Sequence, residues 1–286
     1  MDDSLTQEIR RLDRPGGRIS YTVSGAGPLV LAVPGMGDLR SSYRELVGPL
    51  LAAGFRVAVT DVRGHGDADT GFTEHGDEAT GGDLLALIEQ LGGPALVIGN
   101  SFGGSAAVLA AAQSPHAVSG LVLLSPFLRS RGSRAGAVAG RLLYRVLFAR
   151  PWGAAVWSRY YAGPLNRGRH APWLAEHAAS IRSSFSEPRR LAAFRHLAVA
   201  LDHSVVEPML DSVRAPALIV VGALDPDYPD PRAELAWMGE RLAARVDLVP
   251  EAAHYPHTQR PDLVVPLVVD FARSVRDGSA RRSAVA

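Results

Sequence analysis

Residues 95–113 read Ala-Leu-Val-Ile-Gly-Asn-Ser-Phe-Gly-Gly-Ser-Ala-Ala-Val-Leu-Ala-Ala-Ala-Gln. The apolar, β-type run Ala95–Ile98 ends in Gly99-Asn100-Ser101-Phe102-Gly103-Gly104, and a small-residue helical run, Ser105–Gln113, follows at once. A bare G-x-S-x-G is a weak pattern. Set between a strand and a helix, it predicts a nucleophile elbow. The reason is steric: a serine at so sharp a turn adopts an unfavourable backbone conformation, so its neighbours must lack bulk. Gly99, Gly103 and Gly104 meet that need and leave the Ser101 hydroxyl exposed at the carboxyl edge of a sheet. The helix behind it aims backbone N–H groups at any negative charge that develops there.

Working outward, Ile9–Leu12 and Arg18–Val23 flank Pro15-Gly16-Gly17 and read as a β-hairpin. A buried strand, Leu29–Val33, follows, then a helix carrying Tyr43, Leu46, Val47, Leu50 and Leu51 at helical spacing and stopped by Gly54. Phe55–Thr60 predicts a strand, Asp83–Leu91 a helix, and Gly120–Leu124 a further strand. The alternation resumes at Ala217–Val221, with a helix opening at Asp230-Pro231, a strand at Val246–Val249 and a last helix over about Pro261–Val275. Such alternation predicts an α/β fold with a mostly parallel sheet covered on both faces and antiparallel strands at one edge.

Residues 127–212 hold no convincing strand, and three of the four tryptophans fall there. A connection of roughly 85 residues is too long for one crossover. The expectation is a core domain made of 1–126 and 213–286, with 127–212 inserted as a helical cap above Ser101.

A serine hydroxyl needs a general base, and the base needs an orienting acid. Strand Ala217–Val221 runs into Gly222-Ala-Leu-Asp225, and strand Val246–Val249 into Pro250-Glu-Ala-Ala-His254. Both side chains are thereby expected at the carboxyl edge, with His254 as base and Asp225 as acid. Asp227 and Asp230 compete for the acid's role. An oxyanion hole requires two N–H donors: that of Phe102, and one from Pro34-Gly35-Met36-Gly37-Asp38, where Met36 is the choice.

The chain resembles the α/β-hydrolase superfamily across residues 6–275, in particular its capped, esterase-like serine hydrolases. The resemblance rests on Gly99-Asn-Ser-Phe-Gly-Gly, Pro34-Gly-Met-Gly, Asp61-Val-Arg-Gly-His-Gly66 and the strand ends at Asp225 and His254. It implies the order Ser, Asp, His along the chain. It also implies that Asp61 and His65 brace loops beneath the elbow rather than take part in chemistry. Pro34 stands where the family usually has His, a departure that bears on the rigidity of the loop. Serine at 101 argues against dehalogenase or epoxide hydrolase chemistry, which uses a carboxylate nucleophile. Enzymes that hydrolyse C–C bonds of ring-fission products share the elbow but usually carry Trp after the catalytic His, where this chain has Tyr255.

The expected activity is cleavage of an ester, thioester or lactone of a small, mostly apolar substrate through an acyl-enzyme on Ser101. The alternatives are a C–C bond hydrolase, a biosynthetic hydrolase or cyclase, and a ligand receptor that retains the triad. Arg182, Arg195, His196 and His203 are expected to be structural or solvated.

Of 286 residues, 47% are hydrophobic and 21% charged, as in a soluble globular protein. The formal net charge of +1 gives no reason to expect a nucleic-acid partner. Cysteine is absent, which excludes disulfides and cysteine-ligated metals; no metal and no cofactor is expected. No apolar run approaches the ~18 residues of a membrane span, and Met1–Ser4 lacks the start of a signal peptide. A cytoplasmic enzyme, monomer or homodimer, with no membrane partner and a frayed tail after Asp277, is the resulting expectation.

Overall fold

The computed structural model describes residues 8–130 and 134–278. The expectations for Met1–Ser4 and for the tail from residue 279 lie outside the described residues. The hairpin β1 (Arg10–Arg14) and β2 (Gly17–Ser24) leads into β3 (Leu29–Val33), α1 (Arg44–Ala52), β4 (Arg56–Thr60) and α2 (Asp77–Gln90). Then come β5 (Ala95–Asn100), α3 (Phe102–Gln113) and β6 (Val118–Leu124). Four helices follow: α4 (Arg134–Leu147), α5 (Gly153–Ala162), α6 (Leu174–Ser186) and α7 (Pro188–Ala200). The chain closes with β7 (Ala217–Gly222), α8 (Pro231–Leu242), β8 (Arg245–Val249), the short α9 (Pro256–Gln259) and α10 (Pro261–Arg276).

The eight strands form one sheet in the order β1-β2-β4-β3-β5-β6-β7-β8. Pairings involving β2 are antiparallel and all others parallel. Alternation along β3 shows why both faces must be covered. Leu29, Leu31 and Val33 pack with α2, α3 and α8, whereas Val30 and Ala32 pack with α1 and α10. Parallel strands share their carboxyl ends, so the loops after β3, β5, β7 and β8 open on one edge.

Strand ends fall within two residues of expectation, and two helices start earlier than expected. Helix α2 begins at Asp77, six residues before Asp83, and runs through Gly81-Gly82. A Cβ on Gly81 would stand 3.2 Å from the Ala106 carbonyl oxygen of α3, so the glycine serves close helix packing and is not a break. Helix α3 starts at Phe102, directly after the turn serine, because the glycines at 103 and 104 are helical. At α8 the forecast start holds: Asp230 caps the helix, its carboxylate accepting from the Arg232 and Ala233 amides at 3.0 Å.

Between β6 and β7 the described residues form helices and 3-10 turns and no strand. They build a third apolar cluster, with Phe148, Trp157, Tyr161, Phe185 and Phe194 buried together and joined by Tyr255 from the sheet edge. Among the described residues no helix is long and apolar enough to cross a membrane.

Candidate active site

Strand β5 carries the chain into Ser101, which sits at φ 56°, ψ −130°. For a residue with a Cβ this costs roughly 1–3 kcal/mol and persists only where the surroundings enforce it. They do. The Ser101 amide donates to the Leu124 carbonyl at 2.9 Å, and α3 turns away immediately. A Cβ on Gly103 would lie 2.7 Å from the Pro34 oxygen. One on Gly99 would run into the Gly103 carbonyl and stand 2.6 Å from Gly104 Cα. All of these obstacles are backbone and cannot rotate aside. We expect Gly99→Ala to cost about 3 kcal/mol or more, roughly 6–12 °C in Tm by thermal denaturation.

The loops after β7 and β8 bring the other two predicted side chains together. Asp225 is fully buried. One carboxylate oxygen accepts the Asp227 amide at 3.0 Å, and the other meets His254 Nδ1 at 2.9 Å. Asp227 lies farther from the same nitrogen, at 3.5 Å, and accepts from the Tyr160 hydroxyl at 3.3 Å. Asp230 is committed to its helix cap. With Nδ1–H donating to Asp225, Nε2 is left as the nitrogen that can take up a proton. Burial pushes the His254 imidazole down, but Asp225 and then Asp227 more than offset it, and the pKa rises to about 9. Burial in turn lifts the Asp227 carboxyl, against the pull of His254.

Ligand atoms of Asp225, Asp227 and His254 lie within 4.8 Å of one another, the one such metal-sized set found among the described residues. Its imidazole presents to the carboxylates the nitrogen that is already bonded to Asp225. The set therefore reads as a histidine held between two acids.

The backbone of His254 is pinned from both sides. Its N–H donates to the Leu165 carbonyl at 3.0 Å, and its carbonyl accepts from Asn100 Nδ2 at 3.1 Å. Asn100 also donates to the Leu124 carbonyl at 2.9 Å, so the residue before the turn serine ties β5 to β6 and to the histidine loop. Gln259 does similar work: its oxygen accepts the Ala253 amide at 2.7 Å while its nitrogen donates to the Arg167 and Arg169 carbonyls. Nothing in the local sequence marks these two amides.

The loop after β3 is clamped around Gly37. Its N–H donates to His65 Nε2 at 3.1 Å, and its carbonyl accepts from Trp157 Nε1 at 2.9 Å. The Asp38 amide donates to the Gly35 carbonyl at 3.3 Å. Holding these groups orients the neighbouring Met36 peptide. Because Nε2 accepts, Nδ1 of His65 carries the proton and donates to the Arg63 carbonyl at 3.0 Å. Burial holds this imidazole down at about 4, and that neutral ring is the form the contact needs. Asp61 is also buried, paired with Arg40 and accepting the Asp67 amide at 2.9 Å. Both residues tie loops together through these contacts, the role that the family resemblance implied. Asp38 adds another link, its carboxylate meeting His177 Nε2 of α6 at 2.6 Å with both side chains buried. Phe102 is the first residue of α3, where an N–H has no acceptor within its own helix.

Ser101, Met36, Phe102 and His254 line one cavity of about 760 Å³, walled by Phe127, by Tyr144 of α4, by Trp157 of α5 and by Phe148 in the turn between those helices. Asp225 lies behind His254 and outside the lining. Arg182 and His196 are exposed, Arg195 is half-buried, and none of the three lines this cavity. His203 does: its ring stacks on Phe127 at 5.0 Å and its Nδ1 meets Asp77 at 3.1 Å. Arg141, which sequence reading passed over, also lines it.

His257 is fully buried behind the site, stacked on Tyr43 at 5.2 Å, and neither ring nitrogen has a hydrogen-bond partner. Burial holds its pKa down at about 4 against an ordinary 6.5. Between those two values the unfolded chain takes up a proton that the native state refuses, so stability falls as pH falls through this window. His257→Phe keeps the ring and removes the titration. We expect little change at pH 7. At pH 4 the variant should gain roughly 3 kcal/mol over the parent, read as a flatter dependence of Tm on pH.

The comparisons with known proteins agree with this architecture. Over 252 residues the chain is 25% identical to the mouse sn-1-specific diacylglycerol lipase ABHD11, covering 85% of this chain and 80% of that protein. It is 25% identical to a pimeloyl-[acyl-carrier protein] methyl ester esterase of Neisseria meningitidis, covering 89% and 80%. A thermophilic esterase from Thermogutta terrifontis superposes with a TM-score of 0.77 at 23% identity, over 94% of this chain and 99% of that one. The model of the alpha/beta hydrolase family matches residues 30–267, a span that begins inside β3 and ends inside α10. With the sheet order, the turn serine and that span in agreement, the chain belongs to the α/β-hydrolase family.

Proposed function

We propose that the protein is a serine hydrolase that cleaves an ester, thioester or lactone of a small, mostly apolar substrate. The observation that carries this reading is the shared cavity. A strained serine and a histidine bonded to a buried aspartate open into the same space. In this reading Ser101 Oγ gives its proton to His254 Nε2 and attacks the carbonyl carbon. The oxyanion accepts hydrogen bonds from the Met36 and Phe102 amides. His254 then protonates the leaving alcohol or thiol, and water releases the acyl group by the same steps. Asp225 holds the imidazole's tautomer and stabilises its cation. Residues 127–212 act as the cap, whose Tyr144, Phe148 and Trp157 form an aromatic wall suited to an acyl chain. Relatives named as a lipase and a methyl ester esterase support the ester class.

The experiment is steady-state hydrolysis of a p-nitrophenyl ester panel at substrate in large excess. Release that continues linearly past one equivalent per enzyme is the expected result. A single stoichiometric burst that then stalls would instead assign the protein to ligand sensing.

A further inference from the structure

From residue 91 to residue 175 the sequence contains no Asp or Glu, while nine arginines fall between Arg129 and Arg169. The formal net charge of +1 hides this partition, because acidic residues elsewhere balance it. Helix α4 lies in the middle of the cationic stretch. Its Gly136, Gly140, Tyr144 and Leu147 line the cavity. Its other face carries Val138, Leu142, Leu143 and Val146, each 54–61% exposed, the four most exposed large apolar side chains among the described residues. Positions 138, 142 and 146 are one turn apart and make a continuous stripe. Arg141 and Arg145 project from the helix beside it, and Trp152, 48% exposed, follows one turn beyond its end. Arg141 faces Asp202 at 3.7 Å, but among the described residues no acid pairs with Arg145, Arg150 or Arg159.

We propose that this face of α4, with Trp152, docks on an anionic lipid surface. An apolar stripe edged by arginine, with tryptophan at its margin, is the chemistry of a helix lying in the plane of a headgroup layer. The arginine heads reach phosphates while the aliphatic side chains enter the acyl boundary. Such a helix need not span, so this surface departs from the expectation of no membrane partner without requiring a long apolar segment. A second copy of the chain fits less well, since a symmetric contact would set one cationic face against another with no acid from 91 to 175 to relieve it. The inner side of α4 is the cavity wall, so a lipid-dissolved substrate would reach the cavity without crossing open water.

The test is co-sedimentation with vesicles of phosphatidylcholine alone and of phosphatidylcholine mixed with phosphatidylglycerol, at low and high salt. Mixed vesicles should bind on the order of tenfold more tightly or better, with loss of binding at high salt. The double variant Leu142→Asp, Val146→Asp should bind at least about tenfold more weakly, yet hydrolyse a soluble short-chain ester as the parent does. Arg145→Glu with Arg150→Glu should abolish the preference for phosphatidylglycerol while leaving the apolar stripe in place. Blue-shifted fluorescence that is lost in Trp152→Phe would place the contact at this helix. Ser101→Ala should still bind, which separates this surface from the hydrolase reading. The proposal fails if mixed vesicles are not bound at low salt, or if both double variants bind like the parent. It also fails if the stripe variants alter only a concentration-dependent dimerisation.

Discussion

Replacing Ser101 by alanine should lower kcat for a soluble ester by about 10³-fold or more, with little change in stability. Only the hydroxyl is lost, and the turn that strains residue 101 is enforced by the backbone around Gly99 and Gly103 and by the Leu124 carbonyl. The remaining rate should not be zero, because oxyanion donors and binding still lower the barrier after a nucleophile is removed. A second variant sharpens the result. His254→Ala should cost about as much as Ser101→Ala, and the double variant little more than either, since groups acting as one unit are grossly non-additive. Activity at a comparable rate in purified Ser101→Ala protein would remove Ser101 from the mechanism. Additive losses would show that Ser101 and His254 contribute separately.

The turn serine, the histidine and the aspartate were legible because each follows a buried strand and is announced by glycine or proline. Parallel strands must share an edge, so the order of strands along the chain alone puts three sequence-distant loops in one place. Groups that act across layers were not legible. Asn100 sits beside the turn serine, but its two donations go to residues 24 and 154 positions away. Gln259 and the Asp38–His177 pair likewise owe their roles to contacts between the sheet edge and the helical segment that joins β6 to β7. The early start of α2 was hidden for a related reason: Gly81 and Gly82 weaken a helix read in isolation, whereas packing against α3 favours exactly such small residues there. His203 read as structural from sequence, and its Asp77 partner comes from α2, far from the segment that carries it.

Two carboxylates face His254 Nδ1, and their substitutions should diverge. Asp225→Asn should lower kcat by roughly 10⁴-fold, because an amide at 2.9 Å can donate to Nδ1 and trap the ring in the tautomer whose Nε2 already carries hydrogen. Asp227 lies at 3.5 Å and acts mainly through its charge. The base works only when neutral. With its pKa raised to about 9, kcat/KM should therefore climb about tenfold per pH unit through neutrality and level off above 9. Removing the Asp227 charge withdraws part of what stabilises the imidazolium, so in Asp227→Asn this limb should move to lower pH, with less than a tenfold change in rate at the plateau. The loss in Asp225→Asn should instead persist at every pH. Equal losses in the two variants would show that both acids orient the ring. A pH-independent collapse in Asp227→Asn alone would transfer the acid's role to Asp227, since Asp225 would then be a structural carboxylate held by the Asp227 amide.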